Sequence, residues 1–176
     1  MNDLRYLVGF NIVRGVGPTR LRALLDYFGD AEQAWHAPAG ALSRAGLDRR
    51  SLENLLTARA TLDLDQELKR IAATGAQVLT WESPGYPRLL REISAPPPVL
   101  YVKGTLTEED AWAVAVVGTR RASTYGREVT RRLTTTLARS GITIVSGLAR
   151  GVDAEAHRAA LKAGGRTIAV LGCGID

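Results

Sequence analysis

The sequence has few of the residues that form disulfides and metal sites. Cys173 is its only cysteine, so the chain cannot form an internal disulfide. The two histidines, His36 and His157, are widely spaced, and with one cysteine they match no metal-ligand pattern. We therefore expect no metal and no cofactor, and a reducing compartment such as the cytoplasm.

Long apolar runs are also absent. No run approaches the roughly 20 residues that a membrane-spanning helix needs. The first ten residues lack the apolar core and the cleavage site of a signal peptide. We expect a cytoplasmic protein without a membrane segment. Hydrophobic residues make up 45% of the 176, which is enough for the core of one ordinary domain or two small ones.

Lysine is scarce, because only three of the 23 basic residues are lysine, and the positive charge is unevenly distributed. Residues 1–110 contain 13 basic and 14 acidic residues, whereas residues 111–176 contain 10 basic and 4 acidic residues. A concentrated positive charge favours a polyanionic partner. An arginine-rich composition that reflects genome base content is the other interpretation, and charge alone leaves both open.

The spacing of apolar residues predicts an all-helical module over residues 1–75. Leucines at helical intervals predict one long helix from Asp48 to near Gly75. Between the first two helices lies a glycine turn, residues 15–20. A helix–hairpin–helix uses such a turn to bind DNA phosphate, with Arg14, Arg20 and Arg22 placed to assist. The same glycines suit a plain helical corner, which we favour because residues 1–110 are slightly acidic.

Residues 76–110 are expected to form a connector with short strands at 77–81 and 99–102 around a stiff proline-rich stretch. From residue 111 on, apolar strands alternate with helices. This pattern predicts the first half of a Rossmann-like, doubly wound parallel α/β sheet over residues 111–176. Three strands leave an open edge, so we expect a truncated domain, and the connector strands are candidates to extend the sheet. The predicted elements are strand 112–117, helix 124–139, strand 142–146, helix 152–163 and strand 167–171.

The first strand–helix loop has the sequence VVGTRRASTYG, residues 116–126. Gly118 permits a sharp turn, and Ser123 can cap the next helix. Arg120 and Arg121 can bind phosphate bidentately. Arg120 occupies the position where a dinucleotide fingerprint has its second glycine, which argues against NAD. Merely solvated arginines are the alternative, but their place at a strand's carboxyl end favours function.

The second loop begins SGLARGVD at residue 146. Ser146 stands where NAD enzymes usually have an acidic residue, which is a second argument against a dinucleotide. Gly147 and Gly151 permit a nest of backbone amides that binds an anion, and Arg150 adds positive charge.

Asp153 and His157 are spaced i, i+4, so they can pair on one helix face. Acid–base catalysis is the alternative, but no nucleophile accompanies them, and we favour structural pairing. Cys173, in the third glycine turn, is expected to be a small buried hydrophobe rather than a reactive thiol.

These motifs resemble the DNA-processing protein A family, also called DprA/Smf. The resemblance covers nearly the whole chain in the family's order, and the combination of its last three segments is specific. The matching segments are YPRLLREI (86–93), PPPVLYVKG (96–104), VVGTRRASTYG (116–126), SGLARGVDAEAHRAAL (146–161) and TIAVLGCGID (167–176).

The resemblance implies a bacterial cytoplasmic protein with a helical module, of helix–hairpin–helix or SAM-like type, before an extended Rossmann-like domain. Such proteins bind single-stranded DNA during natural transformation, protect it and help load the RecA recombinase. They have no established catalytic activity and usually form dimers. We expect the second half of the domain and any winged-helix module to lie outside this sequence. The predicted DNA-binding residues are Gly118, Arg120, Arg121, Ser123, Ser146, Gly147, Arg150 and Gly151.

Two other functions stay open. A Rossmann-like nucleotide-binding enzyme, such as a nucleoside-monophosphate phosphoribohydrolase, would use similar loops. Its expected P-G-G-x-G-T-x-x-E motif does not occur in these 176 residues. A purely structural interaction module is the third possibility, suggested by the nearly neutral helical half. The sequence also leaves open whether Tyr125 stacks on a base or belongs to the core.

Overall fold

The computed structural model describes residues 3–175. They divide into two compact units, one ending at Gly104 and the next beginning at Thr105. No helix in this range is long and apolar enough to cross a membrane. The first unit contains α1 (Asp3–Ile12), α2 (Pro18–Phe28), α3 (Ala31–His36), α4 (Ala39–Arg44), α5 (Arg49–Thr61), α6 (Leu64–Ala73), β1 (Gln77–Thr80), α7 (Arg88–Arg91) and β2 (Val99–Val102).

Aromatic rings from α1 and α3 lie at the centre of the first unit. Phe10 is fully buried and meets the Trp35 ring edge to face, with 5.1 Å between the ring centroids. A β-carbon on Gly9 would lie 2.9 Å from the Trp35 ring, so glycine at this position lets α1 approach the ring closely. The helices therefore pack around a core of their own.

The predicted long helix from Asp48 to Gly75 is in fact two helices, α5 and α6. The carboxylate of Asp63 accepts a hydrogen bond from the backbone N–H of Gln66 at 2.9 Å, so Asp63 caps α6. Apolar periodicity continues through this point, because the leucines on either side keep helical spacing. The cap, and not the periodicity, marks the break.

The strands β1 and β2 were candidates to extend the parallel sheet, but they pair with each other in a separate sheet. They are antiparallel, with Gln77 opposite Val102. The side chains of Trp81 and Tyr86 donate hydrogen bonds to the carbonyls of the proline stretch, at 3.0 and 2.8 Å. These bonds fold the connection back on itself, which brings the second strand alongside the first.

The second unit has the α/β alternation that the sequence predicts. A short 3₁₀ helix (Glu108–Ala111) precedes β3 (Ala113–Ala115), α8 (Thr124–Arg139), β4 (Thr143–Ser146), α9 (Val152–Lys162) and β5 (Thr167–Ala169). The strands form a parallel sheet in the order β3-β4-β5. The predicted α/β fold class is therefore confirmed. The first and third strands end two residues earlier than predicted, because the chain turns away into glycine loops.

Two features hold the second unit together. Ile144 of β4 is fully buried against alanines of α8 and α9. Arg166, just before β5, binds Asp110 with both ends of its guanidinium, at 2.5 and 2.8 Å. The hydrogen bonds from Arg166 hold the pKa of Asp110 below its usual range. This pair ties the segment before β3 to the start of β5.

Candidate nucleic-acid interface

Two loops meet at the carboxyl ends of β3 and β4. The first arginine loop, residues 116–123, connects β3 to α8, and the second arginine loop, residues 147–151, connects β4 to α9. The backbone N–H of Val152 donates to the Thr119 carbonyl at 3.2 Å. The end of the second loop is therefore bonded directly to the first.

Glycines make this close approach possible. Gly151 has φ +85°, and a β-carbon there would overlap the Thr119 carbonyl oxygen and lie 2.8 Å from the carbonyl carbon of Arg120. A β-carbon on Gly118 would lie 2.8 Å from a methyl group of Val152. Larger residues at either position would push the two loops apart.

Three arginines, Arg120, Arg121 and Arg150, are exposed on these loops. Among residues 3–175, their guanidinium groups form no ion pair and no hydrogen bond. Several arginines on or next to the helices are instead bound to carboxylates: Arg131, Arg132, Arg158 and Arg166. The loops thus present positive charge that the described part of the chain does not neutralise.

The two predicted serines are engaged within the protein. The hydroxyl of Ser123 accepts a hydrogen bond from the Gly126 N–H at 3.1 Å and caps α8, as predicted. Ser146 is buried, and its hydroxyl donates to the Val116 carbonyl at 2.6 Å, which joins the ends of β3 and β4. The exposed Ser123 thus fixes the start of α8, and the buried Ser146 fixes the ends of the two strands.

Asp153 and His157 have separate partners, so the expected pairing between them is not formed in the described structure. The Asp153 carboxylate accepts from the backbone N–H groups of Gly118 and Gly147. The ring Nδ1 of His157 lies 2.7 Å from the hydroxyl of Thr167, which itself donates to a backbone carbonyl. A hydroxyl has one proton, so Nδ1 of His157 must donate to it. His157 is therefore a buried ring that carries a proton on Nδ1.

Lowering the pH from 7 to 5 is expected to reduce the free energy of unfolding of the second unit. Burial lowers the pKa of His157 below its ordinary value, which is about 6.5. Below that pH the unfolded chain binds the proton more readily than the folded one, so stability falls until the folded-state pKa is passed. Denaturant titrations at several pH values measure this loss. His157→Asn keeps a donor for Thr167 and cannot titrate, and an equally steep pH dependence in it would contradict the assignment.

Exposed apolar side chains lie on or next to the two arginine loops. Of these, only Tyr125 was identified from the sequence. Leu148 has φ +54° and is the one non-glycine residue with positive φ in the described chain. Such a conformation costs about 1–2 kcal/mol. Leu148, Val117 and Tyr125 are 54%, 70% and 79% exposed. Tyr125 is therefore not a core residue, and the loops carry apolar surface beside positive charge.

The glycine turn between α1 and α2 uses two of its three arginines, Arg20 and Arg22, in contacts within the protein, whereas Arg14 is exposed. Arg20 donates to the Gly15 carbonyl and to the Ser51 hydroxyl, both at 2.7 Å, and also binds Asp48. The guanidinium of Arg22 stacks 4.8 Å from the centre of the Trp81 ring. These contacts support the structural interpretation of the turn.

The third glycine loop differs from the expectation at Cys173, which is exposed rather than buried. The chain around it, between Gly172 and Gly174, has no helix or strand to cover the thiol. Among residues 3–175, no group of three or more His, Cys, Asp or Glu side chains is placed to share a metal ion.

Comparison with known proteins identifies the family. The model of the family described as DNA recombination-mediator protein A matches residues 77–176, which include both arginine loops. Protein Smf of Synechocystis sp. is 42% identical over 180 residues, covering 99% of this chain and 45% of the relative. The chain belongs to the DNA recombination-mediator protein A family.

Other members of the recombination-mediator family agree in sequence and in fold. The DNA processing protein DprA of Bacillus subtilis is 35% identical, over 81% of this chain and 51% of that protein. The X-ray structure of DprA from Streptococcus pneumoniae superimposes with a TM-score of 0.74 and 29% identity, covering 97% of this chain and 58% of the other. The chain thus spans about half the length of the curated relatives it matches.

Proposed function

We propose that this protein binds single-stranded DNA at the edge of its parallel sheet and acts as a recombination mediator. The observation that supports this most is the contact between two loops that carry three exposed arginines, whose guanidinium groups have no partner among the residues that the structure describes. Guanidinium groups match phosphate oxygens in geometry and in charge. Phosphate contacts of this kind carry little sequence preference.

The apolar side chains beside the arginines support a single strand over a duplex. Unpaired bases expose their faces and can pack on aromatic or apolar residues, whereas bases in a duplex are stacked on each other. Leu148 lies within the second arginine loop and Tyr125 in the first turn of α8, just after the first arginine loop, and both side chains are exposed. A single strand can therefore contact both kinds of group at once.

A nucleotide-binding enzyme is less well supported by the same loops. Such a site would use the amides at the strand ends to hold a phosphate. Here the N–H groups of Gly118 and Gly147 donate to Asp153 instead. The proposed function is therefore binding without catalysis.

Family membership extends the proposal to partners. We assign this protein, in its full-length form, a role in natural transformation within the cytoplasm, where it protects the incoming strand and helps load the RecA recombinase. The family resemblance also supports a homodimer. Co-precipitation of RecA recombinase with the protein on single-stranded DNA tests the first of these partners.

Fluorescence anisotropy with a labelled oligothymidine tests the DNA-binding proposal. Three phosphate contacts give a slope of about −2 in a plot of log affinity against log salt concentration. We expect binding with about this slope and weak competition by an unlabelled duplex. Equal competition by the duplex, or binding that does not depend on salt, would count against the proposal. Release of free base from a nucleoside monophosphate would instead support the alternative function, a nucleotide-binding enzyme.

A further inference from the structure

The carboxylate of Asp153 lies between the two arginine loops. Asp153 is only 5% exposed, in the first turn of α9. One carboxylate oxygen accepts from the Gly118 N–H at 3.3 Å, and the other accepts from the Gly147 N–H at 3.1 Å. A single side chain therefore holds the backbone at the carboxyl ends of both β3 and β4.

Glycine at position 147 leaves room for this carboxylate. A β-carbon on Gly147 would lie 3.0 Å from the nearer Asp153 oxygen. The two amides converge on an anion, as loop amides do when they bind phosphate. The anion here belongs to the protein, and the positive end of the α9 dipole favours it.

We propose that Asp153 is a positioning residue for single-strand binding, which sets the separation of the two arginine loops so that Arg120 and Arg150 engage one strand together. This inference rests on the proposed function and deepens it. In this proposal the guanidinium groups bind the phosphates. The hydrogen bonds from the Gly118 and Gly147 N–H groups to Asp153 hold the loops that carry those guanidinium groups.

The charge of Asp153 makes the inference sharply testable. A carboxylate close to a phosphate-binding site repels DNA, so its neutralisation alone would tighten binding. Loss of loop position would weaken binding instead. Asparagine is nearly the same size as aspartate, but its NH₂ group cannot accept the second amide hydrogen bond. The direction of the change in affinity therefore distinguishes the two effects.

The test compares Asp153→Asn with Glu155→Gln by anisotropy with labelled oligothymidine across a salt series. Glu155 lies on the same helix and binds Arg158 at 2.9 Å, so its substitution removes the same charge without touching either loop. We expect Asp153→Asn to bind about fivefold more weakly at about 0.1 M salt, with a slope shallower by about 0.7, as for one lost phosphate contact. Glu155→Gln should bind as tightly as the wild type or slightly more tightly.

Wild-type or tighter binding by Asp153→Asn, with an unchanged slope, would overturn the positioning role and leave the proposed function intact. Failure of the wild-type chain to bind oligothymidine would overturn both. Circular dichroism at the assay temperature shows whether each variant is folded. This control is needed because partial unfolding also weakens the apparent binding, although it leaves the salt slope unchanged.

Gly147→Ala provides a second route if Asp153→Asn does not fold. Gly147 does not have positive φ, so alanine fits its backbone, but the new methyl group would press on the Asp153 carboxylate and shift it by a few tenths of an ångström. We expect a severalfold loss of affinity and a shallower slope. Gly172→Ala is the matched control, because a β-carbon there meets nothing within 4 Å. Equal binding by the two alanine variants would contradict the inference.

Discussion

Replacing Gly151 by alanine is expected to lower the free energy of unfolding of the second unit by about 4 kcal/mol, the sum of two costs. Gly151 has φ +85° and ψ −123°, a combination that almost only glycine adopts. This costs about 1–3 kcal/mol in alanine. The added β-carbon would also overlap the Thr119 carbonyl oxygen, and forced displacement of well-packed atoms costs a further 1–3 kcal/mol or so.

Gly164→Ala is the matched control for this substitution. Gly164 also has positive φ, at +75°, but a β-carbon there meets nothing within 4 Å. Its cost should be the conformational part alone, about 1–2 kcal/mol. Urea denaturation of both variants measures the difference. An equal loss in the free energy of unfolding for the two variants would mean that the contact between the arginine loops adds nothing to the cost of Gly151→Ala.

Replacing both Arg120 and Arg150 by alanine is expected to weaken binding to oligothymidine about 25-fold at about 0.1 M salt. Each lost phosphate contact removes about 0.7 from the salt slope for a single strand, which is about fivefold in affinity at that concentration. Neither guanidinium has a partner among the described residues, so stability should be unchanged. Anisotropy across a salt series measures both the affinity and the slope.

Arg139→Ala is the control for charge. Arg139 is exposed in the last turn of α8, at the opposite end of that helix from the first arginine loop. The Arg139→Ala substitution removes one positive charge, as each of the two loop substitutions does. Only the long-range attraction between protein and DNA should therefore weaken, and that attraction is largely screened at this salt concentration. A loss as large as that from Arg120→Ala would show that overall charge, and not the loops, determines affinity.

Sequence alone predicted the second unit well, because its signals are local. Apolar runs that end in glycine mark β4 and its loop, and Ser123 caps α8 as its position before the helix implies. Arg120, Arg121 and Arg150 could be assigned to this edge of the sheet because they lie in the loops that follow β3 and β4. The strand ends were less accurate, because they depend on where neighbouring strands diverge.

The role of Asp153 could not be predicted, because its partners are distant in sequence or belong to the backbone. Gly118 precedes it by 35 residues, and an amide N–H leaves no signature in the sequence. The i, i+4 spacing pointed to His157 instead, whose ring turns to Thr167. The orientation of Arg20 towards Asp48 was likewise set by packing between separate helices.

Hydrogen–deuterium exchange with and without oligothymidine tests the central claim most directly, because it locates the bound strand on the chain. We predict slower exchange in the two arginine loops, residues 116–123 and 147–151, when the strand is present, and no change in the glycine turn at residues 15–20. Slower exchange confined to the glycine turn, with both arginine loops unaffected, would contradict the account.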